Sequence, residues 1–264
     1  MFMEDYMNKY DRFNKMIVYD FNHACGGIGD CIKFFIYALN LCMQHNIKLY
    51  YLVNNTMLEK YLKLKYDKMY ITQTNIEDAR DVTINDIPNL NVGVYNIVNP
   101  GTFYNSYHDA QIIMPINEVF IFSDDVKING IKLNVDNISN YISIHLRLGD
   151  KYLETDNSFI YCKNDVREYD EERLFHFIEN NCDKNIIFFC DNHAYKLNIK
   201  NKYNNISILN CNIGHTCLSN TTDAQTLDAI TEFYLMTKSE KIFSASTSGF
   251  SIIASKFSNI PIYI

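Results

Sequence analysis

Tyr141-Ile142-Ser143-Ile144-His145-Leu146-Arg147-Leu148-Gly149-Asp150 runs from an apolar, isoleucine-bearing stretch straight into a polar turn with a glycine. That pattern reads as a buried strand that stops abruptly and leaves a cation, Arg147, at its carboxyl end. In an open α/β sheet, ligands bind in the crevice outside the carboxyl ends of the strands. A planar guanidinium placed there suits phosphate, because its N–H donors fit two oxygens at once. A strand ending in a surface arginine gives the same residues without any ligand, so the rest of the chain has to decide.

Downstream, the pattern alternates between helix and strand. Residues 170–181 read as a helix, and Asn185-Ile186-Ile187-Phe188-Phe189-Cys190 as a buried strand ending at Asp191-Asn192. Asn205 to Leu209 is a short strand, and Thr222 supplies an N-cap for a helix running to about Lys238. Lys241 to Ser244 is a strand, Thr247 to Phe257 a helix and Ile260 to Ile264 a last strand. This is a doubly wound unit. Upstream, a polar leader precedes a strand at Met16–Asp20, and a glycine-bearing loop spans Asn22 to Asp30. An apolar stripe follows, formed by Ile32, Phe35, Ile36, Leu39 and Met43, and then a second strand at Lys48–Val53. The opening is therefore βαβ, which implies a right-handed crossover in a parallel sheet. The middle is less legible. Thr56–Leu64 and part of 115–133 read as helical, and Lys68–Thr72 and Asn91–Val98 as extended. Asn134-Val135-Asp136-Asn137 is polar enough for a linker, which places a domain boundary near residue 135.

The 264 residues suffice for two such domains, and 47% hydrophobic with 21% charged residues describes a globular chain with a sizeable core. A net charge of −7 argues against a nucleic-acid partner, which would need a basic face, so any phosphate contact is local. The eight cysteines contain no Cys-x-x-Cys pair, and the histidines show no metal-ligand spacing, so no metal site is expected. Free thiols in a reducing compartment are the expectation. The first residues carry neither the basic nor the apolar region of a secretory signal, and no apolar run approaches the ~20 residues of a transmembrane segment. The expected location is cytoplasmic.

Three strand ends and one loop hold the residues suited to chemistry. Cys25-Gly26-Gly27-Ile28-Gly29-Asp30 lies between a strand and a helix, where Gly26, Gly27 and Gly29 let backbone N–H groups approach an anion. The spacing misses the dinucleotide fingerprint, and a tight turn without a ligand is equally compatible. Asp191 closes a buried strand; a carboxylate there accepts two donors at once, though acids also serve turns and caps. Lys241–Ser251 leads a strand into Ser246, Thr247 and Ser248 at the start of a helix, whose positive end attracts phosphate and whose first turn the same hydroxyls can cap. Beyond Arg147, Glu154 and Asp156 are carboxylates on a loop.

Taken together and in order, His145-x-Arg147-x-Gly149-Asp150, the strand ending at Asp191, and the Ser246–Ser248 run resemble the three peptide motifs of the GT-B-fold fucosyltransferase superfamily, which includes the α1,2-, α1,6- and protein O-fucosyltransferases. The Gly-Gly-x-Gly loop is similar to one near the N-terminus of the same families. Leu148 departs from the pattern, standing where many α1,2 and α1,6 members have a second arginine. The resemblance covers about 143–255 together with the loop at Gly26.

It implies an α/β chain of two Rossmann-like domains facing across a cleft. Residues 1–135 would form the acceptor-side domain and 136–264 the nucleotide-sugar-binding domain. It further implies inverting, metal-independent transfer of fucose from GDP-fucose to a glycan or other hydroxyl acceptor, with no cofactor beyond the GDP-sugar donor. By the same resemblance His145 and Asp191 hold the guanine, Arg147 with Thr247 and Ser248 holds the phosphates, and Ser246, Gly26, Gly27 and Gly29 line the donor site. Glu154 is the implied base, one position short of the family spacing, with Asp156 in reserve. Two alternatives stay open: a non-catalytic nucleotide- or glycan-binding protein on this scaffold, and a transferase using another GDP-sugar.

Overall fold

Strands that are apolar on both faces need cover on both faces, and here they lie in two all-parallel sheets. The computed structural model describes residues 3–20, 26–53, 57–72, 79–97, 115–133, 138, 140–153, 164–211, 213–214 and 221–264. The chain divides into two compact units, Met1–Ile121 and Phe122–Ile264.

The first unit contains α1 (Met3–Lys9), β1 (Lys15–Tyr19), α2 (Ile28–His45), β2 (Lys48–Leu52), α3 (Met57–Tyr61), β3 (Leu62–Leu64), β4 (Tyr70–Ile71), β5 (Arg80–Val82), β6 (Gly93–Ile97) and, at its end, β7 (Phe120–Phe122). Its main sheet has the order β4-β2-β1-β6-β5 with every pair parallel. The leader expected to be merely polar is the helix α1 with the 3-10 turn Tyr10–Arg12 after it, and their Met3, Tyr6, Met7 and Tyr10 recur at helical spacing and are buried. Tyr6 Oη donates to the Ile47 carbonyl at 2.6 Å and accepts from the Leu49 amide at 2.9 Å, and Tyr10 Oη donates to the Leu49 carbonyl at 2.7 Å. Two phenols thus satisfy the backbone at the start of β2. Inside the unit Phe35 of α2 meets Tyr19, Tyr51 and Phe120 with ring centroids 5.3–5.7 Å apart.

The second unit contains α4 (Asp124–Lys132), β8 (Tyr141–Leu146), α5 (Glu171–Glu179), β9 (Asn185–Cys190), α6 (His193–Lys202), β10 (Ile206–Ser207), α7 (Asp223–Met236), β11 (Lys241–Ser244), α8 (Gly249–Ser258) and β12 (Ile262–Tyr263). The sheet order is β10-β9-β8-β11-β12, again all parallel. Counted within the unit this is 3-2-1-4-5, so the order reverses between β8 and β11. The crevice at such a reversal is where doubly wound folds place ligands.

The division at 121/122 lies ahead of the expected linker at 134–137, which is outside the described residues. The reason is α4: its Asn129 donates to Asp228 at 3.1 Å and to Thr231 at 3.0 Å, tying it to α7 of the second unit. Another departure is α6, a helix the sequence reading left unassigned after Asp191. Asn192 caps it, accepting from the Tyr195 amide at 2.8 Å. Among the described residues no helix is long and apolar enough to cross a membrane.

Candidate functional site

Parallel register brings three sequence motifs to one level. His145 of β8 stands opposite Phe189 of β9 and Ser244 of β11, so the residues that follow each strand, Arg147, Asp191 and Ser246, emerge side by side over three adjacent strands. All six residues of β8 are buried. The Ser246 hydroxyl donates to the Arg147 carbonyl and accepts from the Arg147 amide, both at 2.9 Å, clamping the end of β8 to the end of β11.

Arg147 is surrounded by acids. Its guanidinium pairs with Asp150, with Asp191 at 3.5 Å and with Asp165 at 3.7 Å. Asp191 also accepts the amides of Leu148 at 2.8 Å and Gly149 at 3.0 Å, one on each carboxylate oxygen, so it is engaged by the turn that carries Arg147. Burial raises the Asp191 carboxyl above its ordinary range, against the opposing pull of Arg147 and those two amides. Asp165, which the sequence reading did not single out, accepts from the Asp150 amide at 3.1 Å and pairs with Arg167 at 2.7 Å. Its carbonyl lies where a Cβ on Gly149 would sit, at 2.3 Å, and Gly149 has φ 111°. Only glycine permits both the backbone angle and that approach. No local pattern around Asp165 marks it; the signal is the return of 164–167 onto the turn, where the Arg167 amide donates to the Leu148 carbonyl at 2.8 Å.

His145 is buried beneath this turn, its ring stacked on Phe250 of α8 at 5.4 Å and 26°. Its Nδ1 has no hydrogen-bond partner among the described residues. Burial, followed by the nearby Arg147 charge, pulls its pKa down to about 3, so the ring is neutral at physiological pH.

The hydroxyl run divides its work. Ser244 donates to the Ser246 carbonyl at 2.8 Å and lies 2.7 Å from the Ser251 hydroxyl, while Ser248 caps α8 by accepting from Phe250 at 3.3 Å. Thr247 is exposed and sits between the buried Ser246 and Ser248. The run therefore presents a single outward hydroxyl at the N-terminal end of a ten-residue helix.

Behind the strand ends Lys196 of α6 and Glu232 of α7 form a buried ion pair at 3.4 Å, and Lys196 also donates to the Leu209 carbonyl at 3.3 Å. Burial pushes Glu232 up to about 7 against the opposing Lys196 charge. Neither residue was legible as functional, since a lysine in an unassigned segment and an acid within an apolar helix carry no local motif.

In the first unit Gly26 has φ 112°, Gly27 is the N-cap of α2, and Gly29 is buried in the helix's first turn. Asp30 pairs there with Lys33 at 3.0 Å. β1, which leads to this loop, lies between β2 and β6 at the order reversal of its own sheet. Glu154 and Asp156, the expected bases, fall outside the described residues. No cluster with metal-ligating character is found among the described residues.

No protein-family model and no curated protein sequence matches the chain. Solved structures do. The α-1,6-fucosyltransferase NodZ, crystallised with GDP, superposes with a TM-score of 0.56 at 9% identity over 91% of this chain and 91% of its own; NodZ from Bradyrhizobium gives 0.54 over 91% and 92%. A mutant of Arabidopsis thaliana FUT1 in complex with GDP gives 0.54 at 9% identity over 99% and 74%. POFUT1 in complex with GDP gives 0.51 at 8% over 94% and 98%. At these identities the likeness is one of architecture: the chain has the GT-B fucosyltransferase-like fold.

Proposed function

We propose that the chain is a glycosyltransferase that moves fucose from GDP-fucose to a hydroxyl on a glycan or related acceptor, with inversion and without a metal. The observation that carries this reading is Arg147, held by Ser246 and Asp191 at the order reversal of the second sheet, beside the start of α8. A cation and a helix N-terminus together form an anion site, and structures of this fold have been solved with GDP.

In this reading Arg147 and the Thr247 hydroxyl hold the diphosphate, while Ser246 and Ser248 shape the turn that presents them. The neutral His145 meets the guanine, and Asp191 acts on the donor indirectly by holding the Leu148 and Gly149 amides. The acceptor oxygen attacks the anomeric carbon, the bond from that carbon to the diphosphate oxygen breaks, and the electron pair leaves with GDP. Glu154, or Asp156 in its place, takes the acceptor proton. Phosphate contacts stabilise the charge that develops on the leaving group.

Thermal shift with GDP, UDP, CDP and ADP tests the donor assignment. GDP at about 100 times its dissociation constant should stabilise by about 2.7 kcal/mol, and Arg147→Ala should lose about 1.5–3 kcal/mol of that affinity as a charge-assisted contact. Equal shifts from all four nucleotides would remove the guanine assignment. GDP binding without transfer or donor hydrolysis across a broad acceptor panel would leave a nucleotide-binding protein.

A further inference from the structure

We infer that Arg167 is a second phosphate-contacting cation of the donor site, sharing the anion with Arg147. The inference rests on the donor reading above and adds a residue to it. Arg167 is held at the site by its backbone, since its amide donates to the Leu148 carbonyl at 2.8 Å, one residue beyond Arg147. Both guanidiniums address the same carboxylate: Arg167 Nε lies 2.7 Å from one oxygen of Asp165, and Arg147 Nη2 lies 3.7 Å from the other. Asp165 itself is only 17% exposed, so the two cations converge on a fixed point.

Arg167 also lessens the negative charge that an anion meets at the turn. Arg147 faces three carboxylates, Asp150, Asp165 and Asp191, and a diphosphate brought to Arg147 alone would enter a region of net negative charge. Arg167 offsets one of those charges. Its side chain is 46% exposed, and Nε makes its only ion pair among the described residues. Among the described residues the two terminal nitrogens make no ion pair, and a phosphate accepts the paired contact they offer.

Calorimetric titration of the full chain with GDP and with guanosine tests this. Arg167→Ala should weaken GDP about tenfold or more and leave guanosine unchanged, and Arg167→Lys should recover part of the loss. Asp165→Asn separates a ligand role from a structural one, because it removes the carboxylate that competes with phosphate yet keeps an acceptor for the Asp150 amide. GDP should bind Asp165→Asn at least as tightly as wild type. If Arg167 only braces Asp165, both variants lose GDP and guanosine affinity together, and the inference fails. Unchanged GDP affinity in a folded Arg167→Ala variant also overturns it, while the donor reading survives. A wild-type protein that binds no GDP removes the donor reading and this inference with it.

Discussion

Two buried groups have their protonation set by burial rather than by exposed neighbours. Glu232 has its pKa raised to about 7 in the folded chain, above its unfolded value, so folding takes up a proton between the two. Its contribution to stability is full below the unfolded pKa of about 4.3 and declines as pH rises through 7. Lys196 is what keeps the ionised form tolerable. Lys196→Met should therefore cost about 3–5 kcal/mol at pH 8, where an unpaired carboxylate is left buried, and clearly less at pH 5, where Glu232 carries its proton. Urea unfolding at the two pH values measures the difference, and an equal loss at both would mean that the pair is not ionised. His145 has the opposite history. Its folded pKa of about 3 keeps the imidazole neutral, so its NMR ring resonances should not titrate between pH 5 and 8. A transition near 6.5 would place the ring in water and remove its stacking on Phe250.

At the level of elements the deciding unit is the turn after β8. Gly149, at φ 111° with the Asp165 carbonyl against it, lets the 164–167 segment return onto the strand end. Gly149→Ala adds a Cβ in a disfavoured backbone region and in contact with backbone, which should cost about 1–3 kcal/mol. Because this turn carries Arg147 and its Gly149 amide is held by Asp191, donor affinity should fall with it, in contrast to a surface Gly→Ala. Comparing the thermal midpoint and GDP affinity of the variant checks both effects. The strand itself was legible from its apolar run, and so was the turn from its glycine. Helix α6 was not: its ten residues include three lysines and two asparagines, with little apolar periodicity, and it is held by the Asn192 cap and the buried Lys196.

For the whole molecule, the chemistry assigned to Glu154 should separate from binding. Glu154→Gln keeps size and hydrogen bonding but loses basicity, so GDP affinity should stay within about twofold while turnover falls by about 10²–10⁴. A chelator should leave turnover intact, since the proposed phosphate contacts come from side chains and a helix end. Should Asp156→Asn carry the loss instead, the base moves to Asp156; if both variants keep full rate, neither residue is the base. The sequence by itself determined the class of the fold, because alternating apolar strands and amphipathic helices are local patterns with fixed periods. It also located His145, Arg147, Asp191 and Ser246, because residues that end buried strands stand out against the apolar run before them. Only the tertiary structure decided what those residues do to one another. The parallel register of β9, β8 and β11 brings Asp191 beside Arg147, where it accepts the Leu148 and Gly149 amides, while the return of 164–167 adds Asp165 and the hydroxyl run leaves Thr247 exposed. The Asp191 and Ser246 contacts join residues 43 and 99 positions apart, and no local pattern encodes such distances.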